Sequence, residues 1–160
     1  MDIRSINMEV CRQLLGHQTV HLQIINDEEE PVFLVIPNRG AYGYFLKRKE
    51  IIFDLEKLKE IPLVTKRIVD PEIVNSENEI KIMPYLRLIG EREKKARKFM
   101  NDDQVVWVDH KFLKNLDLSC CRFYQKKGLI RDMIVAVEDE IVVMCLLPMR
   151  ILDDENDVGR

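Results

Sequence analysis

The sequence predicts an α+β domain composed of two similar halves. Its 160 residues, of which 46% are hydrophobic and 33% charged, suffice for one buried core beneath a charged surface. Each end of the chain reads as a short apolar strand, a polar capping residue, a two-turn amphipathic helix and three strands. Two strand-rich halves with one helix each predict pseudo-twofold symmetry, with both helices on the same side of a common core.

The first half is predicted to span residues 2–47. Residues 3–6 are expected to form a short strand, and Asn7 follows as the helix cap. Apolar residues recur at helical spacing over residues 8–15, and Gly16 is expected to end this helix in the left-handed conformation. The apolar patterns that follow predict three strands, at residues 19–25, 31–36 and 41–46.

Residues 48–103 differ from both ends and are predicted to be an insertion. Helical spacing of apolar residues predicts one helix over residues 48–61 and another over residues 85–100. The second carries a dense run of basic residues, with Glu91–Lys95 and Glu93–Arg97 spaced as i,i+4 ion pairs. This pattern is typical of a solvated helix face. Nucleic-acid contact is the open alternative, although the run lacks the interleaved aromatic residues that would favour it.

The second half is predicted to span residues 104–152. Residues 105–108 form a strand, and Asp109 caps a helix over residues 110–116. Three strands follow, at residues 118–124, 129–137 and 141–147, the last two as a hairpin. Residues 153–160 are acid-rich and apolar-poor, which predicts a disordered tail. Residues 1–152 therefore form a single predicted domain.

Two stretches of the second half resemble a known family. The run VVWVDHKFLKNL, residues 105–116, is similar to the strand and helix that open the last half-domain of the bacterial DNA polymerase III beta sliding clamp. The closing run VVMCLLPMRI, residues 142–151, is similar to the end of that clamp, a hydrophobic pair followed by Met-Pro-Met-Arg-Leu. Leu147 and Ile151 replace the first Met and the final Leu with side chains of similar volume.

The resemblance implies a C-terminal edge that binds short apolar peptides of replication or repair proteins. The residues concerned are Leu146, Leu147, Pro148, Met149, Arg150 and Ile151. Pro148 would end the hydrogen-bond ladder of the strand, and Met149 offers an adaptable apolar surface. Arg150 could hold a carboxylate or a carbonyl group of the partner. Packing of the last strand against the core is the open alternative for this segment.

The resemblance also implies that the two helices face double-stranded DNA. Non-specific phosphate contacts would then come from Arg4, Arg12, His110, Lys111 and Lys114. An ordinary solvated helix face remains the alternative, because Glu9 and Asp117 dilute the positive charge.

The chain departs from the family in size. The clamp ring has six similar domains, three in each chain, whereas this chain has room for one. Residues 48–103 have no counterpart in the family. The residues that complete the family's peptide pocket lie in a neighbouring domain, so closure around DNA would require several copies to associate edge to edge.

No sequence pattern indicates catalysis, metal binding or a cofactor. A nucleophile elbow, a P-loop and a dinucleotide fingerprint are absent, and carboxylates near Asp54, Glu56 and Asp70 indicate no reaction class. The four cysteines lack ligand spacing and the three histidines are dispersed, so reduced thiols and no metal are expected. No signal peptide or membrane-length apolar run is present, which predicts a cytoplasmic protein without membrane contact.

The function that these observations favour is a non-enzymatic, clamp-like binding module associated with DNA replication. It would dock partner peptides at its C-terminal edge, with homo-oligomer formation and DNA contact left open. Since the formal net charge is −3, DNA contact would require a locally basic face. The alternative is a small structural or regulatory protein of a phage or mobile element that only self-associates and binds neither DNA nor peptide.

Overall fold

The computed structural model describes residues 1–26, 30–37, 41–60, 71–89, 94–102, 104–125 and 133–149. Within them one α-helix precedes ten strands of a single sheet, so the chain is an α+β protein, as the sequence predicts. The helix is α1, Ile3–Leu15. The strands are β1 (His21–Asn26), β2 (Val32–Ile36), β3 (Tyr42–Lys47), β4 (Lys59–Glu60), β5 (Glu79–Ile89), β6 (Lys94–Met100), β7 (Val105–Asp109), β8 (Arg122–Gln125), β9 (Ile134–Glu138) and β10 (Ile141–Leu146).

Helix α1 begins earlier than the sequence predicts, and the strand expected over its first residues is wrong. Asp2, and not Asn7, is the N-cap. The Asp2 carboxylate accepts hydrogen bonds from the backbone N–H and the hydroxyl of Ser5, at 3.0 and 2.7 Å. With the helix starting here, Ile6 and Val10 fall on its buried face.

Asn7 lies buried inside α1 and joins it to the segment after β3. Its Nδ2 donates to the carbonyl oxygens of Ile3 and Glu50, at 2.9 and 2.8 Å. Its Oδ1 accepts from the backbone N–H of Ile52 at 3.0 Å. Because buried amides need partners, this asparagine serves as a tertiary link.

The helix ends at Gly16, as the sequence predicts, but this glycine does not adopt the expected left-handed conformation. Gly16 is the C-cap with φ of −80°, and its N–H donates to the carbonyl of Arg12. The positive φ of 55° belongs to the next residue, His17. The left-handed conformation expected at the glycine is therefore displaced by one residue.

The strand order in the sheet is β4-β1-β2-β3-β10-β9-β8-β5-β6-β7. Neighbouring strands are antiparallel except for β1 and β4, which are parallel. The three strands predicted for the first half are confirmed as β1, β2 and β3, and the final hairpin as β9 and β10. Asp139 and Glu140 form its turn with φ of 49° and 65°, the left-handed pair that a two-residue hairpin requires.

The helix predicted over residues 48–61 is wrong. Its described part forms 3₁₀ turns at Arg48–Glu50 and Leu55–Lys57, followed by β4. Ile51 is buried, but Ile52 is 74% exposed. The apolar residues of this segment therefore lie in or next to two short turns and do not form one continuous helix face.

The helix predicted over residues 85–100 is also wrong, because its described residues belong to β5 and β6. Pro84 lies in a bulge of β5 between Ile82 and Leu86, where its missing N–H interrupts no ladder bond. Two carbonyl groups of the bulge accept hydrogen bonds from Arg97 of β6. Its Nη1 donates to the carbonyl oxygen of Met83, at 3.0 Å, and to that of Pro84.

The predicted ion pairs Glu91–Lys95 and Glu93–Arg97 cannot be compared with the structure, because Glu91 and Glu93 lie outside the described residues. The predicted tail at residues 153–160 also lies outside them.

The second half begins as predicted, with β7 followed by the cap Asp109. The helix is shorter than expected, a 3₁₀ helix over His110–Leu113. The following strand is shorter too, because residues 118–120 form a turn and β8 starts only at Arg122.

The sheet buries apolar side chains on both faces near its centre. On β3, Tyr42, Tyr44 and Leu46 belong to one cluster, whereas Phe45 belongs to a second on the opposite face. Both α1 and the 3₁₀ helix pack on the first cluster. Their flanking residues are hydrogen-bonded, since the backbone N–H of the cap Asp2 donates to the carbonyl of Asn115, after the 3₁₀ helix, at 2.8 Å.

The two ends of the chain are therefore similar but not equivalent. The first comprises a helix and three strands, without the leading strand that the repeat predicts. The second comprises a strand, a 3₁₀ helix and three strands. Their last strands, β3 and β10, pair antiparallel, with Tyr44 opposite Met144 and Tyr42 opposite Leu146.

Among the described residues, no helix has the length and apolar character needed to cross a membrane.

Candidate peptide-binding groove

A groove of about 810 Å³ opens beside the end of β10, where residues from both halves meet. Most of its lining residues come from the segment that follows β10, from the turn after α1 and the start of β1, and from the 3₁₀ helix with its cap. The lining residues are Gln18, Thr19, His21, Ala41, Lys94, Asp109, Lys111, Phe112, Leu147, Pro148 and Met149.

The segment after β10 is held at both ends by backbone hydrogen bonds. The N–H of Leu147 donates to the carbonyl of Ala41 at 2.9 Å, which extends the β3–β10 pairing by one residue. Pro148 has no N–H and interrupts the ladder. The N–H of Met149 then donates to the carbonyl of Trp107 in β7 at 2.7 Å. The segment therefore bridges the centre of the sheet to its last strand.

The groove lining includes an aromatic ring and charged groups. The ring centroid of Phe112 lies 4.6 Å from that of Tyr42, which restrains the orientation of the ring. The Lys111 ammonium lies 5.1 Å from the Phe112 ring centroid and 3.2 Å from a carboxylate oxygen of Asp109. Lys94, also in the lining, is exposed. The lining thus combines apolar side chains with two cations and one carboxylate.

The structure places the predicted peptide-binding residues in three different environments. Leu147, Pro148 and Met149 line the groove and are half-buried. Leu146 is 1% exposed, belongs to the core and is not among the residues that line the groove. Arg150 and Ile151 lie outside the described residues.

The predicted DNA-binding residues differ in the charge they can offer. Arg4 and Arg12 are exposed on α1. The ammonium of Lys114 lies 3.2 Å from a carboxylate oxygen of Glu9, and Lys111 is paired with Asp109 as described. Burial, reinforced by the charges of Arg97 and Lys95, lowers the pKa of His110 below its ordinary value. A neutral imidazole adds no positive charge to the set.

Glu9 forms a polar cluster that sequence reasoning misses, because the helix pattern assigns it to the solvent face. Its carboxylate accepts hydrogen bonds from Tyr42, from Tyr44 at 3.4 Å and from the Asn115 amide at 3.1 Å. The same amide donates to the Tyr44 hydroxyl at 2.8 Å. Together with the ion pair to Lys114, these contacts join α1, β3 and the turn after the 3₁₀ helix.

Burial, followed by the proximity of Glu9, raises the pKa values of both tyrosines well above the ordinary 10.0. Tyr42 and Tyr44 are therefore neutral donors to the Glu9 carboxylate at any physiological pH.

Several groove residues were not anticipated as site residues. Asp109 and Phe112 are recognisable in the sequence as cap and core positions, and Lys94 as part of the basic run, but none indicates a groove. Thr19 and His21 give no sequence indication, because their role depends on contact with residues more than a hundred positions away.

The cysteines and histidines show no ligand arrangement within the described part of the chain. No group of three or more His, Cys, Asp or Glu side chains there could hold a metal ion. All four cysteines are free thiols. Burial raises the pKa of the Cys145 thiol to about 12, as expected for an inert core cysteine.

No protein-family model matches the chain, and no curated protein or solved structure is significantly similar to it.

Proposed function

We propose that this chain is a non-enzymatic, clamp-like binding module that docks short apolar peptides of replication or repair partners in its C-terminal groove. The observation that carries the proposal is the position of Leu147, Pro148 and Met149 along a groove whose lining also includes the ring of Phe112. Sites for peptide side chains are concave and mostly apolar, with few polar groups that fix orientation. The proposed setting is the cytoplasm.

The architecture supports the clamp-like part of the proposal. A pseudo-twofold domain should pair equivalent last strands antiparallel and place both helices on one face. The β3–β10 pairing and the packing of α1 beside the 3₁₀ helix agree with that expectation. The missing leading strand of the first half is the main departure.

Within this proposal, contact with double-stranded DNA is a secondary role. Lys111 and Lys114 are exposed, but the carboxylates of Asp109 and Glu9 offset their charges, so the attraction would come mainly from the exposed Arg4 and Arg12 of α1. Two cations can supply only a weak, salt-sensitive attraction to phosphates.

The test is a fluorescence anisotropy titration with dye-labelled apolar peptides of the kind that bind sliding clamps. We expect saturable binding that Met149→Ala weakens by about tenfold, or about 1.4 kcal/mol, with a smaller loss for Pro148→Ala. Met83→Ala is the matched control, since Met83 is half-buried in β5 and does not line the groove.

The proposal is wrong if no peptide binds, or if Met149→Ala and Met83→Ala have equal effects. Light scattering on the same samples separates the alternative function. A discrete oligomer that binds no peptide would favour self-association as the role of the fold.

A further inference from the structure

The three strands β5, β6 and β7 present a second surface that the groove does not explain. Along β6 and β7, Phe99, Val106 and Val108 belong to or pack against the first core cluster. Because neighbouring side chains in a strand alternate between faces, Lys98 and Trp107 project from the opposite face. The side of β5, β6 and β7 that carries Lys98 and Trp107 is the outer face.

The register brings an aromatic ring among the basic residues of β6. Lys98 lies directly opposite Trp107 in the β6–β7 pairing. The guanidinium carbon of Arg87, on β5, lies 5.9 Å from the centroid of the Trp107 ring. Arg87 lies opposite Ala96, whose small side chain lets the arginine reach across β6. Ala96 in turn lies opposite Asp109, which is two residues beyond Trp107 and is a buried carboxylate that pairs with Lys111.

Lys94 extends the positive charge along the same face of β6. It is two residues before Ala96 and four before Lys98, and it is exposed at the end of the strand. Trp107 is partly exposed, opposite Lys98 and close to Arg87. The helix predicted from the sequence lacked an aromatic partner for this basic run, and the neighbouring strand supplies it.

We propose that this face binds single-stranded nucleic acid. Arg87, Lys94 and Lys98 would contact backbone phosphates, and an unstacked base would stack on the Trp107 ring beside the Arg87 guanidinium. Stacking platforms bordered by cations bind single strands with little sequence preference, because every base has a π-face. A duplex hides its base faces, and an acidic peptide has none, so the occupant that uses both features is a single strand.

This surface differs from the peptide groove in its residues. Arg87, Lys98 and Trp107 do not line the groove, whereas Lys94 does. The two proposals therefore fail independently when Arg87 and Lys98 are the positions tested.

Trp107 is the chain's only tryptophan, so its intrinsic fluorescence reports directly on this face. The probe is an oligothymidylate of about 12 nucleotides, within the usual range of single-strand site sizes. At low salt we expect saturable quenching of the Trp107 emission. Three phosphate contacts predict a slope of about −2 for log K against log salt, at roughly −0.7 per contact.

Arg87→Gln and Lys98→Gln should each weaken binding about threefold to tenfold and reduce the steepness of the salt slope by about 0.7. The matched control is Lys57→Gln, an exposed lysine in the Leu55–Lys57 turn next to β4, at the other end of the sheet. It should leave both quantities unchanged. Trp107→Phe, followed by anisotropy of a labelled oligonucleotide, should weaken binding at least about fivefold.

Absence of saturable binding at low salt would overturn the proposal. So would equal losses for Lys57→Gln and Lys98→Gln, which would indicate diffuse attraction to the whole chain. A duplex of equal length that binds as tightly, or a poly-glutamate peptide that quenches Trp107 as strongly, would also contradict it, because neither offers an unstacked base.

Discussion

At the scale of single residues, Glu9 connects parts of the chain that are distant in sequence. Its carboxylate receives hydrogen bonds from Tyr42, Tyr44 and Asn115 and is 11% exposed. Hydrogen bonds to a charged acceptor are stronger than those between neutral groups. The position of α1 on the sheet therefore depends on one ionised side chain as well as on apolar packing.

Replacing Glu9 by alanine should destabilise the fold by about 1–3 kcal/mol, because the amide of Asn115 and the tyrosine hydroxyls would lose a buried acceptor. Chemical denaturation measures the loss. The control is Glu56→Ala at an exposed position, expected to change stability by less than about 0.5 kcal/mol. Equal values for the two variants would refute the role given to Glu9.

The raised pKa values of Tyr42 and Tyr44 predict a loss of stability in alkali. An unfolded tyrosine ionises near pH 10.0, whereas the folded state holds these two protonated beyond that value. Their contribution is therefore complete below about pH 10 and declines as pH rises above it, because the unfolded chain then binds fewer protons. Tyr42→Phe should flatten this decline, as followed by tyrosinate absorbance and circular dichroism. Full ionisation of all tyrosines without unfolding would contradict the assignment.

At the residue scale, the sequence shows which side chains can cap a helix, but not whether each one does so. Asp109 was recognised as a cap and is one, with Oδ1 accepting from the Lys111 N–H at 3.1 Å. Asn7 has the same cap chemistry but is buried and bonded to Glu50 and Ile52. The difference is tertiary, since a buried amide can be satisfied by distant backbone groups that no local pattern reveals.

At the scale of elements, the central strands β2 and β3 lie so close at Gly43 that a side chain added there would have to displace its neighbours. A Cβ at Gly43 would lie 2.7 Å from Leu34 Cδ1 and 3.1 Å from Ile36 Cγ1. The neighbouring side chains on β2 occupy the space that a larger residue would need. The packing of these strands on the second core face thus depends on the absence of a side chain at one position.

Gly43→Ala should therefore cost about 1–3 kcal/mol through overpacking. The same substitution at Gly16 is the control, because φ of −80° suits alanine and the nearest atom to its Cβ would be the Arg12 carbonyl oxygen at 3.3 Å. We expect a change near zero there. Thermal unfolding of both variants provides the measurement, and a larger loss at Gly16 would contradict the backbone described.

Element prediction succeeded where local pattern and tertiary environment agree. The alternation in β1 and the hairpin of β9 and β10 were recognised because each pairs with an adjacent segment. The basic run of β6 does not alternate between polar and apolar residues. One face carries Ala96 between Lys94 and Lys98, and the other carries Lys95 and Arg97 before Phe99. Its strand conformation is imposed by pairing with β5 and β7 on both sides, which overrides local helical spacing.

At the scale of the whole molecule, the segment after β10 connects distant strands at the groove. The N–H of Leu147 donates to the carbonyl of Ala41, next to β3, and the N–H of Met149 donates to the carbonyl of Trp107 in β7, the last strand of the sheet. The C-terminal run predicted to bind peptides contributes Leu147, Pro148 and Met149 to the groove lining, whereas the lining residues Thr19 and His21 could not be predicted. A groove built from both ends of a chain exists only after the chain has folded.

The most direct test of the central claim is amide chemical-shift mapping of the chain during titration with the apolar peptide. The account predicts saturable changes concentrated at Thr19, His21, Lys111 and Met149, with little change at the remote turn Ser76–Asn78. Changes confined to residues outside the groove, or none at saturating peptide, would contradict the claim that this groove is the docking site.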